Sequence, residues 1–580
     1  MDCKSKRSFR QPWLYPIALA ALTSTLINTP SKAQTTQPPL QVPSPQDVQP
    51  FPNPVPSPLL PQPLPPPEEL LEPSSPTPTT PENIPGGLQT INVERFEVVG
   101  STVFTPEQLA KVLAPFTNRP LSFTELFQAR SAITQLYFDN GYITSGAYIP
   151  PQTLQGKVVT IAVLEGGLEN IQVTGTKYLN SNYVRRRLAI ATKAPLNRNR
   201  LLQALQLLQL NPLISNISAE LSAGTRPGQS ILEVQVSEAQ STTLQFTFDN
   251  GRTPAVGSFR RNLQLNEGNL LGIGDRISVG YNNTDGSNAI DTSYSLPLNP
   301  RNGTLNLSYG TTSSRVIEPP FDVLDIKSES RYYDITLRQP IIQTPSQEFA
   351  LGMSASRLES ETSLQGSPFA LSQGADEQGR TRISALRFFQ EWTGRDARQV
   401  IAARSQFNLG VGAIDATVNE ERPDSRFLSW QGQAQWVRLL APETLLLVRG
   451  NVQLSTTSLV PLEQFSLGGL QSVRGYRQDL LLTDNGAFAS AEVRLPVLRV
   501  PDWNAVLQVA PFIDVGSTWN TGRSASDTNS LASVGLGLVW QQSDRFTARL
   551  DYGIPLVSVS STNRTWQENG IYFSVFYNPF

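Results

Sequence analysis

The chain has 580 residues, no histidine, a single cysteine and a formal net charge of -2. Without histidine neither a Ser-His-Asp constellation nor a histidine-ligated metal site can form, and one cysteine closes no disulfide within the chain. Near-neutral charge gives no electrostatic footprint for nucleic acid and no GxxxxGK[ST] phosphate loop occurs, so no enzyme, metal or cofactor is expected, with paired carboxylates the one acid–base option left.

Lys4, Lys6, Arg7 and Arg10 precede an apolar stretch from Trp13 to Ile27 and the small-residue site Ser31-Lys32-Ala33. This pattern predicts a secretory signal peptide over residues 1–33, cut after Ala33 and directing the chain out of the cytoplasm. Beyond it no run of about 18 apolar residues occurs, which excludes a helical membrane protein. A β-barrel stays open, because its strands show lipid only every second residue and a mean hydropathy of -0.23 is compatible with that. Residues 34–88 hold 19 of the 46 prolines and read as an extended, partly polyproline-II linker, in which Glu68 to Glu72 could form one helical turn.

From Ile91 the pattern changes to a unit that recurs at an offset of 75 residues: Phe96, Val98, Gly100, Phe104, Leu113, Pro120, Leu121 and Leu126 match Ile171, Val173, Gly175, Leu179, Leu188, Pro195, Leu196 and Leu201. In each copy a strand (Phe96 to Val99, Ile171 to Val173) ends at a glycine suited to positive φ, and a helix follows. Pro-Leu opens a second helix, in the first copy Ser122 to Asp139 with Leu126, Ala129, Ile133 and Leu136 on one face and Gly141 at its end. Closing strands are expected at Ile143 to Ile149 with Val158 to Val163, and at Ile217 to Leu221 with Ile231 to Val236. The β-α-α-β-β order resembles the POTRA domain, giving tandem copies over 91–166 and 167–237. The first copy offers a sheet edge at Ile143, Ala147 and Ile149 to which an extended substrate could add as a strand.

The remaining residues, 241–580, alternate strictly. Leu244, Phe246 and Phe248 interleave with Gln245, Thr247 and Asp249; Leu305, Leu307 and Tyr309 with Thr304, Asn306 and Ser308; Phe546, Ala548 and Leu550 with Arg545, Thr547 and Arg549. A soluble sandwich would close its apolar face within about 100 residues, so this length favours a transmembrane barrel. Sixteen segments are expected, starting near residues 241, 259, 274, 289, 302, 328, 346, 379, 396, 426, 442, 486, 504, 531, 545 and 568. Short connections (299–302, 393–395, 541–544) alternate with long ones (311–327, 359–378, 410–425, 457–485), as periplasmic turns alternate with outer loops. Phe580 ends the chain, as a terminal Phe ends many outer-membrane barrels, although Ser574 and Asn578 share its parity and Pro579 lacks a ladder donor.

Two motifs stand in this region: Val473-Arg474-Gly475-Tyr476 in the longest outer connection, and Phe512-Ile513-Asp514-Val515-Gly516 on the thirteenth segment. Together with the tandem repeats, residues 91–580 resemble the two-partner secretion transporters (TpsB class, ShlB/FhaC/HecB-type haemolysin secretion/activation proteins) of the wider BamA superfamily. The resemblance implies two tandem α+β POTRA domains followed by an all-β 16-stranded transmembrane β-barrel. It also implies an inward-folding loop 457–485 whose arginine, here Arg474, meets the strand aspartate, here Asp514. Parity puts Phe512, Asp514 and Gly516 on one face, toward the lumen, and makes Glu492, on the face of Ser490 and Arg494, a competing partner. The implied partners are a secreted β-helical exoprotein encoded nearby, outer-membrane lipid with lipopolysaccharide, and the barrel-assembly machinery; nucleic acid is not among them. Family members also carry a pore-plugging N-terminal helix, from which this proline-rich N-terminus departs. The alternative functions are a BamA-like insertase, which two repeats disfavour, and a passive porin, which would need neither repeats nor a returning loop.

Overall fold

A computed structural model describes residues 70–72, 90–153, 157–522, 529–559 and 565–579. The expected signal peptide, most of the proline-rich segment and Phe580 lie outside the described residues. The first strand, Leu71–Glu72 (β1), belongs to the second repeat. The first repeat runs Ile91–Val93 (β2), Arg95–Val99 (β3), Pro106–Leu113 (α1), Arg119–Leu121 (β4), Phe123–Asp139 (α2), Gly146–Tyr148 (β5) and Val158–Leu164 (β6).

Helix α2 starts where a capping box predicts. The Ser122 hydroxyl accepts from the Glu125 N–H while the Glu125 carboxylate accepts from the Ser122 N–H. Its buried stripe is Leu126, Ala129, Ile133 and Tyr137. Tyr137 replaces the expected Leu136 at the centre because its hydroxyl finds Ser101 and Glu165 there. In the sheet β6 lies between β3, which runs parallel to it, and antiparallel β5.

The expected strand Ile143 to Ile149 is shorter than its sequence suggests. Residues 142–145 turn, with Ser145 N–H on the Tyr142 carbonyl, so that only Gly146–Tyr148 pairs with β6. Ile143 packs on the core of the second repeat and Ile149 on that of the first. The Ala147 N–H, which an added strand would need, already donates to Thr134 Oγ1 at 3.0 Å. The donor that the expected edge would offer at Ala147 is therefore already engaged.

The second repeat runs Gly167–Thr174 (β7), Ser181–Ala191 (α3), Arg198–Gln209 (α4), Ile214–Ala223 (β8) and Gln229–Glu238 (β9). Its devices copy those of the first. Gly100 and Gly175 have φ of 84° and 85°, and a Cβ there would stand 2.5 Å from the Val163 carbonyl oxygen and 2.2 Å from that of Val236. Beyond each glycine a glutamate from the closing strand collects backbone N–H groups: Glu165 takes Thr102 and Val103, and Glu238 takes Lys177, Tyr178 and Leu179.

One segment departs from the linker expected over residues 34–88. Leu70 is helical, within the stretch where a turn was expected, and Leu71–Glu72 then lies parallel to β8, Leu71 opposite Ala219 and Glu72 opposite Glu220, making a sheet ordered β1-β8-β9-β7. Leu70 and Leu71 are 2% and 5% exposed among Leu202, Leu205 and Ile217. Burial at about 1.5–3 kcal/mol per leucine holds this segment on the second repeat.

Sixteen antiparallel strands, Thr242–Asp249 to Ile571–Tyr577, close into a barrel, with a two-residue stub at Ser367–Pro368. Every strand begins within three residues of its expected start. The sixth and seventh, Ile326–Gln343 and Gln347–Leu364, have 18 residues each, more than the roughly 9–11 that cross a bilayer. The fifth likewise runs on to Arg315, so the outer connection expected from residue 311 begins only at 316. Leu307, Ile335, Met353, Phe407, Leu538 and Leu550 form part of an outward apolar band, each between 42% and 57% exposed. The first and last strands share four register pairs against eight between the first and second, and the Asn250 side chain extends that seam by bonding the Ile571 carbonyl and the Phe573 N–H.

Candidate functional site

The connection between the eleventh strand, Thr444–Ser455, and the twelfth, Asn485–Val500, turns inward and carries its own hairpin, Phe465–Leu467 paired with Leu481–Thr483. Nothing in the sequence pattern announced that hairpin. Phe465, Leu467, Val473 and Tyr476 of the loop form one apolar cluster with Phe488 and Leu531 of the wall. The loop is thus packed into the lumen like a core element.

Strand parity places the wall residues as expected. On the thirteenth strand, Ala505–Trp519, Ile513 and Val515 are 49% and 43% exposed on the lipid side, whereas Phe512 and Asp514 are 5% and 0% exposed. Arg474 donates through Nε to Asp514 Oδ2 at 2.8 Å and through Nη2 to Oδ1 at 2.9 Å, the planar fork on a carboxylate that a lysine cannot reproduce. Its backbone N–H adds a third bond to Asp514 at 3.1 Å. The guanidinium lies 3.4 Å over the Phe512 ring, so the motif's aromatic and its aspartate serve one side chain.

Glu492 is a second partner rather than a rival. It accepts from Arg474 Nη1 at 2.8 Å, from Arg494 Nε at 2.9 Å and from both terminal nitrogens of Arg549 at 2.9 and 2.7 Å. Ser490 completes Asp514 with a 2.6 Å bond. Asp551, 1% exposed, binds Arg549 at 2.6 Å and stands 3.8 Å from Arg474. Arg549 and Asp551 were missed by the sequence reading, although both share the lumen parity of one strand, which is the signal that could have found them.

Glycines make the fit possible. Gly475 has φ of 97° and crosses Gly553 so closely that a Cβ on Gly553 would stand 2.7 Å from the Gly475 nitrogen and 2.8 Å from the Arg474 carbonyl carbon. Gly516 leaves the space filled by Leu467, whose Cδ1 would be 2.5 Å from a Cβ there. The Tyr476 hydroxyl meets the Ala532 and Val557 carbonyls at 2.8 and 3.0 Å, and Tyr572 bonds the Tyr476 carbonyl. Arg477 reaches Glu318 in another outer connection at 2.7 Å, and the Gln478 N–H meets Gln567, whose amide also holds the Arg252 carbonyl at 2.7 Å.

Against known proteins, residues 228–540 match the haemolysin secretion/activation protein ShlB/FhaC/HecB family, and residues 91–166 match the ShlB-type POTRA domain. The chain belongs to the ShlB/FhaC/HecB family. The outer membrane transporter CdiB of Dickeya dadantii (strain 3937) is 24% identical over 457 residues, 76% of this chain and 78% of its own. The heme/hemopexin transporter protein HuxB of Haemophilus influenzae (strain 86-028NP) is 22% identical over 481 residues, 78% and 80% of the two chains. Among solved structures, CdiB from Escherichia coli superposes with a TM-score of 0.66 at 21% identity, covering 87% of this chain and 93% of that one. BamA from Haemophilus ducreyi lacking POTRA domains 1-3 gives 0.52 at 14% identity, covering 84% and 100%. These structures share the fold. As a ShlB/FhaC/HecB protein, the chain is an outer-membrane two-partner secretion transporter with its POTRA region in the periplasm.

Proposed function

We propose that the two periplasmic repeats take an extended exoprotein and that the barrel conducts it outward once loop 457–485 leaves the lumen, with Arg474 as the residue that holds the loop in its resting place. The observation that carries this reading is the buried Arg474–Asp514–Glu492 cluster, which ties a loop to two lumen-facing wall carboxylates and so gives the transporter a closed state. No nucleotide site contributes energy in this reading; folding of the exoprotein outside supplies the direction. The apolar outer band faces lipid and lipopolysaccharide, and the barrel-assembly machinery inserts it.

The test is co-expression with a candidate exoprotein, sought as a large repeat-rich chain encoded beside this gene, scoring its arrival at the cell surface. Export should require this chain and should stop when residues 91–237 are deleted while the barrel still reaches the membrane. Surface arrival without the chain, or undiminished by that deletion, overturns the reading.

A further inference from the structure

On the lumen face of the barrel Arg338, Arg387, Arg404, Arg494 and Arg549 each bind a glutamate at 2.5–2.9 Å. Arg449, on the eleventh strand, binds none. It shares the lumen parity of Gln453, whose side-chain amide holds the loop carbonyls of Glu463 and Asp484 at 2.9 and 3.1 Å. Among the described residues the Arg449 guanidinium has no hydrogen bond or ion pair, and its aromatic neighbour is the Phe488 ring, 5.9 Å from Cζ to the ring centre. A wall built of ion pairs thus carries one cation in reserve.

Its place in the register decides what it can reach. Arg449 lies directly opposite Ser490, and Ser490 directly opposite Asp514, so the three form one rung across the eleventh, twelfth and thirteenth strands. Neighbouring strands stand about 4.8 Å apart, which separates the Arg449 and Asp514 backbones by roughly 10 Å, a span that an extended arginine and an aspartate close over the small Ser490 side chain. In the resting structure the way is barred. Arg474 covers the Asp514 carboxylate with its fork and the Phe512 ring with its plane, and its like charge repels a second guanidinium. Withdrawal of the loop removes that bar and changes the balance of charge on the wall. Glu492 keeps Arg494 and Arg549, and Asp551 keeps Arg549. Asp514 loses the fork and the Arg474 backbone N–H together and retains only Ser490. One carboxylate without a cation then stands on the same rung as one cation without a carboxylate.

We propose that Arg449 is the stand-in for Arg474: when loop 457–485 withdraws, the Arg449 guanidinium swings across Ser490 onto Asp514, takes the place over the Phe512 ring, and so stabilises the open lumen. What the opening serves rests on the transport reading above; the exchange of cations does not. Removal of Arg449 therefore has the opposite sign to removal of Arg474. It holds the loop in, because release then strands Asp514.

The test is trypsin cleavage near Arg477 in the full chain purified in detergent, whose rate follows the population of released loop. Arg449→Gln should slow cleavage at least about fivefold, as expected for a charged hydrogen bond lost in a partly solvated lumen, and Arg449→Lys, with the charge but no fork, should fall between it and the parent. Simple repulsion between Arg449 and Arg474 would give the same sign, and an Asp514→Ala background separates the two. There Arg474 stays on Glu492 while the receiving carboxylate is gone, so Arg449→Gln should leave the cleavage rate unchanged. Cleavage of Arg449→Gln as fast as the parent overturns the proposal, as does slowing of equal size in the Asp514→Ala background. In cells, export should fall with the cleavage rate. Slower cleavage with undiminished export would support the exchange and count against the reading that the loop leaves for transport.

Discussion

Arg474 is 2% exposed and Asp514 0%, so the pair lies in the regime where removing one partner strands a charge, at about 3–5 kcal/mol, rather than in the solvated regime of surface pairs. The two partners are not equivalent. Arg474→Ala leaves Asp514 with Ser490 and the backbone N–H of residue 474 but no cation, whereas Asp514→Ala leaves Arg474 its ion pair with Glu492. Arg474→Ala should therefore release the loop more fully, seen as trypsin cleavage near Arg477 and higher single-channel conductance, and the double variant should be no worse than Arg474→Ala. Arg474→Lys should also release it, having no fork. Protection and conductance like wild type in Arg474→Ala would remove the anchor from the mechanism. A second prediction needs no charge change: Gly553→Ala puts a Cβ against the backbone of Arg474 and Gly475, so it should expose the loop to trypsin as Arg474→Ala does. Continued protection of that variant would show that the crossing tolerates a side chain. Parity alone made Phe512, Asp514 and Gly516 legible as lumen residues, because alternation fixes a face. It could not show that Asp551 and Arg549, two strands away from Asp514, complete the same cluster, since which strands meet one loop depends on barrel closure.

Helix and strand positions were legible wherever a local rule dominated. The capping residues Ser122 and Glu125 set the start of α2, and alternation set each barrel strand. Local rules failed where a distant group decided: Thr134 and the second repeat's core cut β5 to three residues, and the β8 edge turned Leu71–Glu72 into a strand amid prolines. The closing-strand glutamates are a testable case of such long-range control. Burial raises the Glu165 carboxyl, but bonds from the Thr102 hydroxyl, the Thr102 and Val103 N–H groups and Tyr137 prevail and hold it below the usual glutamate value. A lowered folded value means that the ionised form stabilises the fold: the contribution is complete above the unfolded value of about 4.3 and is lost as pH falls through the folded one. Glu165→Gln should cost about 1.5–3 kcal/mol at pH 7, and its difference from wild type should shrink below about pH 4. Glu125 titrates in the same sense, lowered to about 2 by the Ser122 N–H and Arg119, which deepens acid sensitivity of the same repeat. Urea unfolding of the full chain, followed by hydrogen exchange in peptides from residues 91–166, measures both. A Glu165→Gln penalty equal at pH 7 and pH 3 would contradict the assignment.

For the whole molecule, the question is how the periplasmic repeats keep a fixed angle to the barrel. The second repeat touches the barrel's periplasmic turns through a compact joint. Asn180 N–H bonds the Gly272 carbonyl at 2.8 Å, Arg187 Nε bonds Asn302 Oδ1 at 2.9 Å, and the Arg187 guanidinium sits 3.4 Å over the Tyr183 ring. That ring lies where a Cβ on Gly274 would be, 2.3 Å from its Cε2, and its hydroxyl is held by Asn211 at 2.7 Å. The first repeat is fixed to the second in turn, by Arg198 N–H on the Gly141 carbonyl and by Ile143 in the second core. Arg187 is the central contact, because it alone both stacks on Tyr183 and reaches a barrel turn. The stacking on Tyr183 lies within one helix and only orients the guanidinium, so the docking term is its hydrogen bond to Asn302, about 1.5–3 kcal/mol for a charged donor or a factor of about 10 to 150 in the docked population. Arg187→Ala should therefore free the repeats to swing while each stays folded. With spin labels on Asn216→Cys and Ala397→Cys in a Cys3→Ser background, the distance distribution should be narrow in the parent and clearly broader with Arg187→Ala, and export should fall with it. Gly274→Ala should give the same broadening by pushing Tyr183 aside from the other direction, at a position whose φ of 82° also resists a side chain. A distribution that stays narrow in both variants would mean that the joint is held by backbone contacts such as Asn180 with Gly272 alone. Broadening without loss of export would mean that export does not depend on a fixed angle between the repeats and the pore.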